Sequence, residues 1–385
     1  MGVGVTNTPR ILTIAGSDSS GGAGIQADIK TITMLGGHAM SAITAITAQN
    51  SRGVDAVQVL GADMVLAQID AVVRDIGVDA IKIGMLGSAD IAERLADWLA
   101  AREPVPLVFD PVMIASSGAV LADAATIAAF RRLMTHAVVV TPNLPELDAL
   151  GGQDAVLALA PALLVKGGHS GEDTVTDRLV TRDGEVAVWS DPRIDTPHSH
   201  GTGCTLSSAI TTLLGQGMAL EAAVDQARSF VRLALRDAPR LVPSNGPMGN
   251  GAVRNDALAP GLHLNQITLP ARNYAASVTF YRALGLTQIV DSPGNGYARF
   301  EAGNGVTLSI HTGDDAGGAV VYLECIDLDA RVTQLTSEGF AFDQLPQDKN
   351  WGWREARLCD PAGNTLCLYH AGENRRYPPW RIATE

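Results

Sequence analysis

From Ile11 to about Val231, short apolar runs alternate with stretches in which apolar residues return every three or four positions. ILTIAG, SAITAITA, AIKIGML, PLVFDPVM, AVVVTPN and ALLVKGG are near-continuously apolar, the pattern of strands buried on both faces. MVLAQIDAVVRDI and ADIAERLADWLAA, lying between them, carry the helical period. The alternation predicts an α/β unit built on a parallel sheet with helices on both faces. Ligands in such sheets bind beyond the carboxyl ends of the strands. Three of these strands run into Asp110, Asn143 and Lys166.

The pattern stops between Pro239 and Leu262, where prolines and glycines without an apolar period predict an interdomain linker. Beyond it the chain reads LHLNQITLP as a strand, ASVTFYRALGL as a helix, and TQIVDS, YARFEAG and VTLSIHTG as three strands. The order then repeats in AVVYLECI, LDARVTQLTSEGF, FDQLPQD, WREARLCD and NTLCLYH, so a βαβββ unit is duplicated. The closing stretch GENRRYPPWRIATE is expected to be an irregular surface tail.

Length agrees with this division: 385 residues suit two domains at about 100–200 residues each. A net charge of −13, with the acidic residues dispersed, argues against a nucleic-acid partner, which asks for a basic face. The four cysteines, Cys204, Cys325, Cys359 and Cys367, are too irregularly spaced for a disulfide framework or a zinc pair and fit a reducing compartment. The start MGVGVTNTPR has no apolar core, and no apolar run approaches about 18 residues. No membrane association and a cytoplasmic location are therefore expected.

Candidate chemistry clusters at strand ends and helix starts. After the first strand, SDSSGGAGIQAD would let backbone approach a ligand at a helix N-terminus. Taken locally, Asp28 there reads as an exposed acid in a first helical turn. In TPNLPE, Asn143 and Glu146 stand three apart, the spacing of a water-mediated Mg2+ site or equally of a helix start. Lys166 in KGGH is either a solvated strand end or a point charge for a polyphosphate. The strongest segment is HGTGCTLSSAITTLL: Gly201, Thr202, Gly203 and Cys204 open an apolar helix, an anion hole for a transferring phosphoryl group. The helix dipole is expected to lower the Cys204 thiol pKa and fit it for a base or nucleophile, against the commoner fate of a small buried cysteine.

AGSDSSGGAGIQADIKT, TAITAQNSRGV, KIGML, DPVM, TPNLPE, KGGH and HGTGCT, in this order, resemble the hydroxymethylpyrimidine/phosphomethylpyrimidine kinases of the ribokinase-like superfamily, over residues 10–245. The resemblance implies a ribokinase-like three-layer α/β/α fold, ATP with Mg2+ as phosphoryl donor, and two successive phosphorylations of a pyrimidine substrate. It places Asp28 and Gln49 on the aminopyrimidine ring with Ala23 beside it, and Met85 and Val112 against the ring faces. Asp110 and Glu146 fall near the magnesium and phosphates, Lys166 on the phosphate charge, residues 201–204 at the anion hole, and Cys204 as the base. Two departures stand out. The stretch from Pro142 to Lys166 is shorter than usual by about a helix, and His198 stands where the family has asparagine. A pyridoxal kinase and a non-catalytic pyrimidine-binding protein are the competing readings. Gln49 and Met85 favour the pyrimidine, and the joint presence of Lys166, Glu146 and Cys204 favours catalysis. A homodimer is the expected assembly.

Residues 262–372, through NQITLPARNYAASVTFYRALGLTQI and LCDPAGNTLCLYH, resemble the vicinal-oxygen-chelate family, which includes glyoxalases and bleomycin-resistance proteins. Metal-using members take His, Glu or Gln from the first and last strands of each repeat. Matching the repeats puts Gln266, Ser309, Val321 and Cys367 there, a poor ligand set. His263 and His370 fall on the opposite strand parity, and His311 lies farther along its strand. A metal-free binding or dimerising α+β module is expected, with Trp351 and Trp353 lining an apolar cleft.

Overall fold

The computed structural model describes residues 8–113, 122–169, 173–243, 245–253, 262–283, 286–301, 305–312, 319–359 and 365–382. The chain divides into two units, Met1–Val253 and Arg254–Glu385.

In the first unit the apolar runs become the parallel centre of a sheet: β1 (Arg10–Asp18), β2 (His38–Asn50), β4 (Ala80–Ile83), β5 (Leu107–Phe109), β6 (Val139–Val140) and β7 (Ala162–Val165). Every residue of β4, β5, β6 and β7 is buried, as a strand covered on both faces requires. Helices α2 (Ala62–Asp75), α3 (Ala89–Ala100) and α4 (Ala124–Met134) bring Val65, Ile69, Ile91, Leu95 and Phe130 into one core with Leu12, Ile14 and Phe109. Helices α1 (Gly24–Met34), α7 (Thr202–Gly215) and α8 (Leu220–Arg236) form the other layer. Two short helices, α5 (Leu144–Ala149) and α6 (Gln153–Leu157), fill the stretch before β7.

The sheet is not all parallel, as the sequence pattern suggested. Its order is β3-β2-β1-β4-β5-β6-β7-β8-β9, and the pairings of β3 (Gly53–Val59) with β2, of β8 (Thr174–Thr181) with β7 and of β9 (Gly184–Pro192) with β8 are antiparallel. Edge strands face water and need no continuous apolar run; in β3 and β9 no residue is buried, so they left little hydrophobic signal.

The expected linker also needs correction. Met248 and Val253 are buried, and the Asn250 side-chain amide donates to Thr31 Oγ1 at 3.0 Å and Thr205 Oγ1 at 2.9 Å. The first unit therefore runs to Val253, beyond the expected boundary at 245. Proline and glycine report the absence of a regular element, not the absence of packing.

The second unit follows the duplicated pattern: β10 (His263–Pro270), α9 (Tyr274–Ala283), β11 (Thr287–Ser292), β12 (Tyr297–Glu301) and β13 (Thr307–His311), then β14 (Val320–Glu324), α10 (Leu328–Ser337), β15 (Gln344–Asp348), β16 (Arg354–Cys359) and β17 (Thr365–His370). The strand order β11-β12-β13-β10-β14-β17-β16-β15 repeats itself about the β10–β14 pair, and in each half the first strand pairs in parallel with the last.

Three expectations for this unit change. Tyr322, not Val321, stands opposite both Gln266 and Cys367, because a register shift between Leu264 and Gln266 moves the face by one residue. The apolar run AVVY has no alternation that could have told the two faces apart. Trp353 is buried among described residues rather than open: it is 3% exposed, stacked on Tyr369 with ring centroids 4.5 Å apart, under the Arg299 guanidinium. Trp351 is 37% exposed and donates to Glu355 Oε1. The tail does not simply lie on the surface. Arg375 is 1% exposed, pairs with Glu324 at 3.2 Å and donates to the Gly305 carbonyl, while the backbone N–H groups of Ala371 and Gly372 also reach Glu324. Gln266 Oε1 is taken by Thr307, Ser309 Oγ by Tyr297, and burial with Glu355 pushes the Cys367 thiol up. Among the described residues no three His, Cys, Asp or Glu side chains converge as metal ligands.

Candidate active site

The site forms where β1, β2, β5 and β7 end. Past β1 the chain doubles back through Gly24, whose φ is +55° and where a Cβ would come 2.3 Å from the Gly16 carbonyl. The turn points the N–H groups of Ser20, Gly22 and Ala23 at the Asp18 carboxylate, at 2.8, 3.1 and 2.8 Å. His200 Nε2 lies 2.9 Å from Asp18 Oδ2 and 3.3 Å from the Gln49 amide nitrogen. Burial alone would raise the Asp18 carboxyl, but donors from His200, Ser20 and Ala23 outweigh it and hold it at about 2. The ion is fixed, and it anchors His200 beside Gln49.

Opposite this turn, α7 begins at Gly201, with φ +89°. A Cβ there would lie 1.8 Å from the Gly22 carbonyl, so only glycine lets the two loops meet. Thr202, Gly203 and Cys204 form the first turn, where backbone N–H groups lack intrahelical acceptors. Gly203 faces Lys166: a Cβ on it would stand 3.4 Å from Lys166 Nζ and 3.7 Å from Asp110 Oδ2.

Lys166 Nζ donates to Asp110 Oδ1 at 2.9 Å, Thr141 to the same oxygen at 3.1 Å, and Ser207 to the other at 3.2 Å. Burial opposes both charges, yet each is kept by the other. Lys166 and Lys82 hold the Asp110 carboxyl below its ordinary value, and Asp110 and Glu146 hold the Lys166 ammonium above its own. Asn143 and Glu146 make a reciprocal capping box on α5, each side chain accepting the other's backbone N–H at 2.8–2.9 Å. Burial raises the Glu146 carboxyl, against the pull of Lys166.

These groups line one cavity of about 760 Å³, within the range of roughly 300–1,000 Å³ usual for small-molecule sites. Ala23, Gln49, Met85 and Val112 lie on its wall together with Asp110, Asn143, Glu146, Lys166, Gly201, Thr202, Gly203 and Cys204. It extends to Arg193 and to Arg228, which is held by Asp177 at 2.7 Å and Asp191 at 2.6 Å.

Asp28 is the exception, and both readings of it fail. It is neither exposed nor on the cavity wall but fully buried, paired with Lys82 at 2.9 Å and accepting from Ser208 at 2.7 Å and from Thr13. Cys204 departs from expectation too. Burial pushes its thiol up to about 11, against the attraction of Lys82, so the helix terminus does not make it an easy thiolate. His198 is buried against Gly246 and is not on the cavity wall.

Asp18, His200 and Lys82 went unnoticed in the sequence. Lys82 left a usable signal: a cation inside the apolar strand AIKI has to find a buried counter-ion. Asp18 and His200 sit in quoted motifs, but 182 residues separate them, and nothing local announces the pair.

The family model described as phosphomethylpyrimidine kinase matches residues 18–249, and that of the glyoxalase/bleomycin resistance protein/dioxygenase superfamily matches 263–368. A hydroxymethylpyrimidine/phosphomethylpyrimidine kinase of Haemophilus influenzae is 42% identical over 64% of this chain and 98% of its own length. A multifunctional thiamine biosynthesis protein of Corynebacterium efficiens is also 42% identical over 64% of this chain, which spans only 35% of that relative. Among solved structures, an ADP complex of Bacillus subtilis pyridoxal kinase superposes with a TM-score of 0.57 at 33% identity, covering 63% of this chain and 97% of that one.

Proposed function

The chain belongs to the phosphomethylpyrimidine kinase family, and from that premise we propose that its first unit uses ATP to phosphorylate 4-amino-5-hydroxymethyl-2-methylpyrimidine and then the monophosphate, on the route to thiamin. The observation that carries this reading is one cavity in which Gln49, Met85 and Val112 share a wall with Lys166 and the start of α7. A primary amide both donates and accepts, which suits the edge of an aminopyrimidine, and the two apolar side chains suit its faces.

Phosphoryl transfer asks for positioning and charge neutralisation more than for covalent help. The α7 terminus, with Gly201, Thr202 and Gly203, takes the phosphoryl oxygens, and Lys166, kept charged by Asp110, offsets their charge. Cys204, as its thiolate, accepts the hydroxymethyl proton late in the step. The Arg193 and Arg228 end takes the rest of the nucleotide. The carboxylates of Asp110 and Glu146 on one wall fit Mg2+, which prefers oxygen ligands and keeps waters. Asn143, its side-chain oxygen already on the Glu146 N–H, would take part through water. When bound, the ion supplies further neutralisation of phosphate charge. In the second unit, the engaged Gln266, Ser309 and Cys367 support a metal-free role.

Pyridoxal is the second reading, favoured by the superposition on a pyridoxal kinase at 33% identity. Steady-state turnover of the full chain on both alcohols is the test. The expected result is a kcat/KM at least tenfold higher for the pyrimidine; a preference for pyridoxal overturns the assignment, and no ATP consumption with either removes the kinase reading.

A further inference from the structure

The first two turns of α7 rest on two aspartate–lysine pairs. Asp110 and Lys166 open onto the cavity, and Ser207 reaches down to Asp110. Asp28 and Lys82 are sealed, with both side chains 0% exposed. Lys82 Nζ stands 3.1 and 2.9 Å from the two Asp28 oxygens. Ser208 donates to Asp28 from α7, and Thr13 does so from β1. Ser208 follows Cys204 by four residues, one turn along the same helix face, so the sealed pair lies on the side of the helix that carries the thiol. The lysine is packed under the end of β4, where a Cβ on Gly84 would come 2.6 Å from Nζ.

A buried ion pair is a weak route to stability, because apolar side chains of the same size often serve as well. The pair is not on the cavity wall, so it does not meet substrate. We propose that Lys82 and Asp28 are positioning residues for the phosphoryl transfer: they tie β1, α1 and β4 to the opening turns of α7 and set the charge beneath the Cys204 thiol. The inference rests on the reading of Cys204 as the proton acceptor. The charged groups that face the thiol are Lys82 from β4, Asp28 from α1, Asp110 after β5 and Lys166 after β7. Lys82 favours the thiolate, whereas Asp28 and Asp110 oppose it.

The two partners of this one pair should therefore act in opposite senses, which a purely structural pair does not do. The test is the rate of iodoacetamide alkylation at Cys204 in the full chain at pH 8, resolved by peptide mass spectrometry from the exposed Cys359. Lys82→Met is expected to slow alkylation about tenfold, the effect of one pKa unit. Asp28→Asn is expected to speed it, and the double variant to fall between. Where Lys82→Met does not fold, Asp28→Asn against the unsubstituted chain carries the comparison. Equal slowing in all variants, or no change in any, overturns the proposal. In turnover, Lys82→Met should lower kcat with little change in KM for the pyrimidine, and Lys82→Arg should recover part of the loss; an effect confined to KM also overturns it. Near-normal turnover of Cys204→Ala would instead remove the reading of Cys204, an outcome the alkylation rates do not share.

Discussion

Both units bury charged and polar side chains against a sheet, yet they dispose of them in opposite ways. In the second unit the groups close on one another: Glu324 on Arg375 and Asn265, Arg299 over Trp353, and Tyr369 between Trp353 and Tyr322. In the first unit, Asp110, Lys166, Glu146 and Cys204 are drawn together but leave a cavity of about 760 Å³ between the ends of the strands and α7. Buried polar groups are tolerable when paired. A unit that pairs them internally spends that polarity on its own cohesion, whereas one that leaves them facing a gap has donors and charges ready for a ligand. Among the described residues of the second unit, the face that carries Arg299, Trp353 and Tyr369 is filled by its own side chains.

The sharpest way to break the contrast is Cys204→Ala, which should lower turnover by about two to four orders of magnitude if the thiolate is the general base. The pH dependence has a definite sign. With the thiol pushed up to about 11, the thiolate is a minority at neutral pH. Its share grows about tenfold per pH unit, so kcat should climb from pH 7 to 9 and lose that climb in the alanine variant. A flat profile for the unsubstituted chain would place Cys204 with the merely packed groups, like those of the second unit.

Arg375→Met tests the filled face. Removing one partner of a buried pair typically costs about 3–5 kcal/mol, read as a fall in the thermal unfolding of the second unit. Burial already raises the Glu324 carboxyl, so protonation relieves the unpaired charge first and the loss should shrink as pH falls. Glu324→Gln with Arg375→Met should regain part of it. An unchanged melting profile would mean that the face is not held shut by this pair.

The smallest expected effect is none. After loading the full chain with nickel or zinc and desalting, elemental analysis should find no stoichiometric metal whose retention depends on Gln266. A stoichiometric ion that is lost in Gln266→Ala would turn the second unit from a filled face into a working site.

Legibility followed burial and locality. The central strands of the first unit and the whole βαβββ repeat were readable because each carries its own apolar period. The edge strands β3 and β9 were not, because a solvent-facing strand shows too little apolar contrast. The capping box of Asn143 and Glu146 was visible as one of two readings, since both its partners lie within four residues. The Asp28–Lys82 pair, 54 residues apart, was not.

By itself, then, the amino-acid order determined the periodic elements, the division into two units and the glycine-bearing helix start at Gly201, because hydrophobic period and backbone freedom are properties of neighbouring residues. The tertiary structure alone decided which charges meet. It sealed Asp28 beneath α7, joined Asp18 to His200, turned Tyr322 rather than Val321 toward Cys367, and pushed the Cys204 thiol up instead of down. Pairing, strand register and desolvation depend on atoms brought together from distant parts of the chain, and no local pattern encodes them.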